Sequence, residues 1–311
     1  MTKIDILSVN ISEQKGTIKK PVDTIELDKT GVANDAHSGN WHRQVSLLAQ
    51  ESIDKFSEQA KREIAFGEFA ENITTKGLIL HKTAPLDRFT MGDMLLEVTQ
   101  IGKKCHGDNC SIFREVGNCV MPKEGIFCRV LKGGELKAGD QLDYQPRIIK
   151  TLIITLSDRA SRGEYVDKSG PLLKKLAEDF FKSKNRHYEI ETLIIPDNEE
   201  QLKTILLRAQ AENYDIVFTT GGTGIGPKDI TPDVVKPLLT KEIPGIMELI
   251  RVKYGMEKAN ALMSRGIAGV MNKTLIYTLP GNPKAVNEYC NEIFKTIEHS
   301  LYMLNELDLH G

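Results

Sequence analysis

The chain lacks any apolar run of the ~18 to 20 residues needed to cross a bilayer. Its opening, Met1-Thr-Lys-Ile-Asp-Ile, puts Asp5 where a secretory signal would need apolar side chains. No membrane partner is expected, and the expected location is cytoplasmic. Neither sign of charge is in excess: the formal net charge is −2 over 311 residues, and the balance holds in both halves. Without a basic field to gather a polyphosphate backbone, nucleic acid is not an expected partner. The five cysteines are odd in number in a chain long enough to bury a sizeable core, so no disulfide scaffold is expected. Internal repeats and low-complexity segments are absent, and packing is reason enough for the single tryptophan, Trp41. What is present, 40% hydrophobic and 27% charged residues, is the composition of a globular chain, with a length that suits two domains. Four of the five cysteines, Cys105, Cys110, Cys119 and Cys128, fall in one short segment, which composition does not explain.

The two halves have different grammar. From about Ile148, short branched apolar runs (Ile148 to Leu156, Tyr188 to Ile195, Asp215 to Thr220, Thr274 to Leu279) alternate with segments of helical period. That pattern predicts a three-layer α/β domain with a mainly parallel sheet over residues 147–311. Ser169-Gly-Pro, Asn198-Glu-Glu and Asn282-Pro-Lys read as capped helix starts. Leu172, Leu173, Leu176 and Phe180, and Leu202, Ile205, Leu206 and Ala209, read as buried helix faces. Residues 1–146 instead show short alternating runs, such as Ile4 to Ile11 and Met94 to Ile101, separated by glycine turns, with one clear helix from Ala49 to Lys61. These predict a mostly β, barrel-like domain with closed edges.

The sharpest motif is Tyr214-Asp-Ile-Val-Phe-Thr-Thr-Gly-Gly-Thr-Gly-Ile-Gly-Pro-Lys-Asp-Ile-Thr-Pro-Asp233, a buried strand that runs into a glycine turn and then a helix start. Glycines let backbone N–H groups approach an anion, and a helix N-terminus adds a favourable dipole. It is not a Walker A loop, because no Gly-Lys-Ser/Thr follows, and a purely structural tight turn remains an alternative. Ser157-Asp158, Pro196-Asp197, Gly221 onward and Pro280 to Lys284 all follow strands, so in a parallel sheet their loops converge on one edge. Asp197 and Asp229 beside a polyphosphate suit Mg²⁺, which binds through one or two carboxylates plus substrate phosphates. Each of them has a cap or turn role as the competing reading.

The stretches Ser157 to Pro171, Thr219 to Gly224 with Asp229 and Thr231-Pro-Asp233, Glu242 to Gly245, Leu262-Met-Ser-Arg-Gly266 and Leu279-Pro-Gly-Asn-Pro-Lys284 resemble the molybdopterin-binding MogA/MoaB family, in order over residues 150–305. The resemblance implies a molybdopterin adenylyltransferase, which joins AMP from Mg-ATP to the terminal phosphate of molybdopterin and releases pyrophosphate. It implies Asp197 and Asp229 as the acidic catalytic, Mg²⁺-binding pair and Gly221, Gly222, Thr223 and Gly224 as the pterin or phosphate loop. It further implies Ser264 with Pro280, Gly281, Asn282, Pro283 and Lys284 closing the substrate pocket. Ser157, Asp158 and Asp233, in the same stretches, join the cofactor-binding set, and a homotrimer assembled through this half is also implied.

In the first half, Gly31 to His37, Arg43 to Leu48, Gly67 to Ile73, Gly102-Lys-Lys-Cys-His106, Met121 to Phe127 and Gly133 to Asp140 resemble the MOSC domain, a β-barrel associated with molybdenum-cofactor sulfuration and binding. The resemblance makes Cys105 the sulfur carrier or molybdenum ligand, beside two lysines that favour a thiolate. It makes Arg43, Lys103, His37 and Asn72 candidates for holding the cofactor's phosphate or pterin. Cys128, within Ile-Phe-Cys-Arg-Val, reads as a buried small hydrophobe. The expected function is an enzyme of molybdenum-cofactor assembly, with other assembly proteins or molybdoenzymes as candidate partners. A non-catalytic cofactor carrier or storage protein, and a redox-sensing or zinc-bound regulator, are the competing readings.

Overall fold

The computed structural model describes residues 2–104 and 119–308. The chain divides into two compact units, Met1–Arg147 with Leu307–Gly311, and Ile148–Glu306.

The first unit holds strands β1 (Thr2–Ile11), β2 (Lys20–Val22), β3 (Thr24–Asp28), β4 (Gly31–Val32), β5 (Val45–Ala49), β6 (Ile73–Lys76), β7 (Arg88–Met91), β8 (Met94–Ile101), β9 (Ile126–Lys132), β10 (Gly134–Lys137) and β11 (Gln141–Gln145). Its main sheet runs β11-β7-β8-β9-β5-β6-β1-β2, and β1 also pairs with β11, so the sheet closes into a barrel. A closed sheet leaves few unpaired edges. Of its pairs only β5 and β6 are parallel. Parallel neighbours need a crossover, and the helix α1 (Gln50–Ala60) lies in it. The strand β5 is buried along its whole length because both of its faces are covered. Val45, Leu47 and Ala49 point into the barrel core with Ile4, Leu96 and Ile126, while Leu48 packs in a separate cluster with Ile53 and Phe56 of α1. The helix ends at Lys61, a left-handed residue (φ 52°) whose N–H returns to the Ser57 carbonyl.

The second unit holds β12 (Ile148–Leu156), β13 (His187–Ile195), β14 (Ile216–Thr220), β15 (Lys241–Glu242), β16 (Ala268–Met271) and β17 (Thr274–Leu279) in the order β13-β12-β14-β17-β16-β15. The first four pair in parallel and the last two add on antiparallel. Alternation along the strands feeds two cores. Ile153, Phe218 and Tyr277 pack with Leu173 and Phe181 of a helix Ser169–Ser183 and with Ile293 and Ile297 of a helix Pro283–Leu304. Ile154, Val217 and Ile276 pack instead with Leu202 and Leu206 of a helix Glu199–Ala211. Removing a fully buried ring such as Phe218 costs about 3–5 kcal/mol. Register places Leu156 opposite Ile195, Thr155 opposite Thr220 and Thr220 opposite Leu279, so the loops after all four parallel strands leave from one edge.

Capping differs from the sequence reading at one helix. Ser169 is the first helical residue, and the cap is Asp167, whose Oδ1 accepts from the Ser169 and Gly170 N–H groups at 2.9 and 3.1 Å. A Ser hydroxyl in the first turn resembles a cap in sequence, but a carboxylate two residues earlier reaches both amides. Asn198 and Asn282 do cap, accepting from Gln201 N at 2.8 Å and Ala285 N at 2.9 Å.

Candidate active site

The glycine loop follows β14 at that edge. Gly221 has φ +108°, and a Cβ there would lie 2.3 Å from the Leu156 carbonyl; at Gly222, with φ +64°, it would lie 2.6 Å from Thr231 Oγ1. Only glycine lets the chain pass this close to β12 and to the helix Thr231–Val235. The loop carbonyls all face the protein. Gly221 O accepts from Thr231 Oγ1 (2.9 Å), Gly222 O from Thr231 N (3.0 Å), Thr223 O from Arg265 N (2.8 Å) and Gly224 O from Arg265 Nε (2.7 Å). The N–H groups of residues 222–225 have no acceptor among the described residues. A run of unpartnered N–H groups on a glycine turn is an anion-binding concavity.

This loop lines a cleft of about 440 Å³, shared with Asp229, Ile250, Tyr254, Lys258, Ser264, the Pro280–Asn282 turn, Lys284, Glu288 and Tyr289. Ser264 is oriented by Tyr289, whose hydroxyl donates to Ser264 Oγ at 2.7 Å. Beside the loop is an acidic group. Asp158 and Asp197 are locked reciprocally, each carboxylate accepting the other's backbone N–H at 3.1 and 3.2 Å. Lys228, on the glycine loop's return, pairs with Asp158. Burial holds the Asp197 carboxyl above the usual carboxylate range, and the negative charges of Asp158 and Asp229 push it the same way, against the Asp158 N–H and Lys228. A cation would relieve that repulsion. Asp197 Oδ1 and Asp229 Oδ1 carry no hydrogen bond among the described residues, whereas Asp229 Oδ2 accepts from Gly226 N at 2.8 Å. Among those residues no group of three or more His, Cys, Asp or Glu is arranged to hold a metal. The pair therefore fits a cation that arrives with phosphate ligands rather than one held in a protein cage.

Residues 152–299 match the family described as the probable molybdopterin binding domain, and residues 34–143 match the MOSC domain. The chain is 36% identical over 154 residues to a molybdopterin adenylyltransferase of Helicobacter pylori, covering 49% of this chain and 85% of that protein. This chain belongs to the molybdopterin-binding MogA/MoaB family. It is also 35% identical over 164 residues to a molybdenum cofactor biosynthesis protein B of Staphylococcus aureus, covering 51% of this chain and 94% of that one. To gephyrin of Dictyostelium discoideum it is 33% identical over 159 residues, 49% of this chain but only 22% of gephyrin's length.

Within this molybdopterin-binding unit, the cleft brings together Gly221, Gly222, Thr223, Gly224, Asp229, Ser264, Pro280, Gly281, Asn282 and Lys284. Ser157, Asp158, Asp197, Asp233 and Pro283 are not among its lining residues. Ser157 caps the short helix Asp158–Ser161, Pro283 opens the helix after Asn282, and Asp233 is held by Arg265 at 2.8 and 3.0 Å. The sequence reading gave no role to Arg265, Tyr289, Lys258 or Lys228. Of these, Lys228 and Arg265 lie inside quoted motifs, where their charge beside a glycine turn was the available signal.

In the MOSC unit, Arg43 lies 4.8 Å over the Trp41 ring, and its Nε has no hydrogen-bond partner. Lys103 lies 5.8 Å from the Phe127 ring centre. His37 stands 3.5 Å from Asp35, which pairs with the buried Lys19, a residue the sequence reading passed over. Against the burial that would raise it, hydrogen bonds from His37 and Lys19 hold Asp35 well below the usual carboxylate range. Asn72 serves the barrel, accepting from Ser46 Oγ at 2.9 Å and donating to Asn10 O at 3.2 Å. Cys119 and Cys128 are buried. Cys105, Cys110 and His106 lie outside the described residues.

Proposed function

We propose that the second unit transfers AMP from Mg-ATP to the terminal phosphate of molybdopterin. A phosphate oxygen of molybdopterin attacks the α-phosphorus of ATP, the bond from that phosphorus to the bridging oxygen breaks, and pyrophosphate leaves. The observation that carries the reading is the loop of unpartnered N–H groups at 222–225, set in a cleft with Asp229 and next to the Asp158–Asp197 pair. The attacking group is already an anion, so no strong base is required, and positioning with charge neutralisation supplies the catalysis. Asp197 and Asp229 are the residues that would hold Mg²⁺, which supplies neutralisation of the phosphates. The loop N–H groups bind the anionic end of a ligand, and Ser264, set by Tyr289, also lines the cleft.

The first unit is proposed to handle the cofactor or its sulfur through Cys105, with Arg43, Lys103 and His37 as basic groups for its phosphate. The proposed location is cytoplasmic; among the described residues no helix is long and apolar enough to cross a membrane. A homotrimer through the second unit is also proposed, supported by exposed Leu249, Val252 and Met256, spaced to share one face of the helix Pro244–Gly255 and the residue after it. Incubation of the full chain with molybdopterin and Mg-ATP tests the reaction. Pyrophosphate release that depends on molybdopterin supports it, and molybdopterin binding without release assigns the chain to the carrier reading.

A further inference from the structure

Five hydrogen bonds from Arg265, one from its backbone and four from its side chain, converge on the glycine loop and the helix start that follows it. Arg265 N donates to Thr223 O at 2.8 Å and Arg265 Nε to Gly224 O at 2.7 Å. Nη2 donates to Asp229 O, and Nη1 to both oxygens of Asp233 at 2.8 and 3.0 Å. Every guanidinium nitrogen is therefore engaged by the loop or by the helix start that follows it. Arg265 does not line the cleft. It reaches the loop through the loop's carbonyls, 41 residues along the chain from Gly224.

A glycine turn left to itself has many conformations, and a peptide flip would replace an N–H by a carbonyl in an anion site. Two of the loop's four carbonyls between 221 and 224 are fixed by Thr231 and two by Arg265. The planar fork of arginine can satisfy three separated acceptors at once, whereas a lysine ammonium is a point charge on a flexible stem. We propose that Arg265 is a positioning residue that clamps the carbonyls of Thr223, Gly224 and Asp229, so that the amides of 224 and 225, beside those of 222 and 223 held through Thr231, stay presented to the anionic end of molybdopterin. The inference rests on the adenylyl-transfer reading only for the identity of the ligand.

The test uses the full chain, as wild type, Arg265→Ala and Arg265→Lys. Pyrophosphate release is measured against molybdopterin concentration at saturating Mg-ATP, molybdopterin binding is measured without ATP, and thermal melts check folding. Both variants are expected to raise KM and Kd for molybdopterin by about tenfold to a hundredfold, the range for losing charge-assisted hydrogen bonds. Their kcat should change by less than about threefold, since ground-state and transition-state binding are lost alike. Lysine should not rescue. Wild-type affinity in both variants, or recovery of affinity in Arg265→Lys alone, would overturn the clamp, the second result pointing to charge rather than geometry. A fall in kcat at unchanged KM would overturn it too, making Arg265 part of the chemistry. If Arg265→Ala fails to fold, Arg265→Lys, which keeps the stem and charge, decides by the same two readings. If the wild type binds molybdopterin but releases no pyrophosphate, the adenylyl-transfer reading fails, and the Kd comparison still decides the clamp.

Discussion

Asp229 has two jobs that one substitution separates. Its Oδ2 holds the Gly226 amide, and a Cβ on Gly224 would meet that carboxylate at 2.7 Å, so the side chain braces the loop as well as carrying charge. Asp229→Asn can keep the acceptor and lose the charge. We expect Asp229→Asn and Asp197→Asn to melt as the wild type and retain molybdopterin binding, while pyrophosphate release falls about a hundredfold or more. Asp229→Ala should weaken molybdopterin binding as well. Wild-type turnover in both Asn variants would remove the two carboxylates from the mechanism. For the first unit, Cys105→Ser should abolish persulfide loading or molybdenum retention, read by mass and metal analysis, because a hydroxyl is a harder ligand and far less ionised. Cys128→Ser should load normally but lose about 1–3 kcal/mol, since its hydroxyl would sit unpartnered in the barrel core beside Val45 and Val98. The glycines and Asp229 were legible because loop chemistry needs those residue types. Arg265 and Lys19 were not, because their roles depend on acceptors tens of residues away in sequence, or on burial that no local pattern reveals.

At the level of elements, Glu292 links the helices Pro244–Gly255 and Pro283–Leu304. It is 5% exposed and accepts from Lys253 at 2.6 Å and Lys295 at 2.7 Å. Those lysines, opposed by burial, hold its carboxyl down at about 2. A depressed carboxyl contributes stability that is present above its ordinary value near 4.5 and lost as pH falls toward 2. Melts of the wild type should therefore drop over that window more steeply than melts of Glu292→Gln, and parallel curves would contradict the assignment. The exposed Leu249, Val252 and Met256 face bears on assembly. If it joins copies, Val252→Glu with Met256→Glu should convert a trimer to monomer by light scattering without loss of helicity, and a monomeric wild type would dismiss the idea. The central strands β12, β14 and β17 were legible because runs buried on both faces are continuous and branched, and β12 and β17 match their sequence bounds. The antiparallel β16 and the parallel β5–β6 pair were not read, since pairing partners are set by tertiary closure rather than by local pattern.

Among the described residues each unit has its own hydrophobic cores, two drawn from 148–306 and two from 1–147. Chemistry in one unit should therefore survive point changes in the other, and Cys105→Ser should release pyrophosphate at the wild-type rate. A coupled loss, with folding intact, would show that the units act on one ligand in sequence. The near-neutral charge also matters here, because the proposed recognition of a small anion would rest on the amides of 222–225 and on local lysines rather than on a global field. The most direct measurement is the stoichiometry of pyrophosphate released when the full chain meets molybdopterin and Mg-ATP. Adenylyl transfer predicts one pyrophosphate and one AMP-bearing pterin per molybdopterin consumed, with neither formed when molybdopterin is omitted. Saturable molybdopterin binding with intact ATP and no pyrophosphate would contradict it.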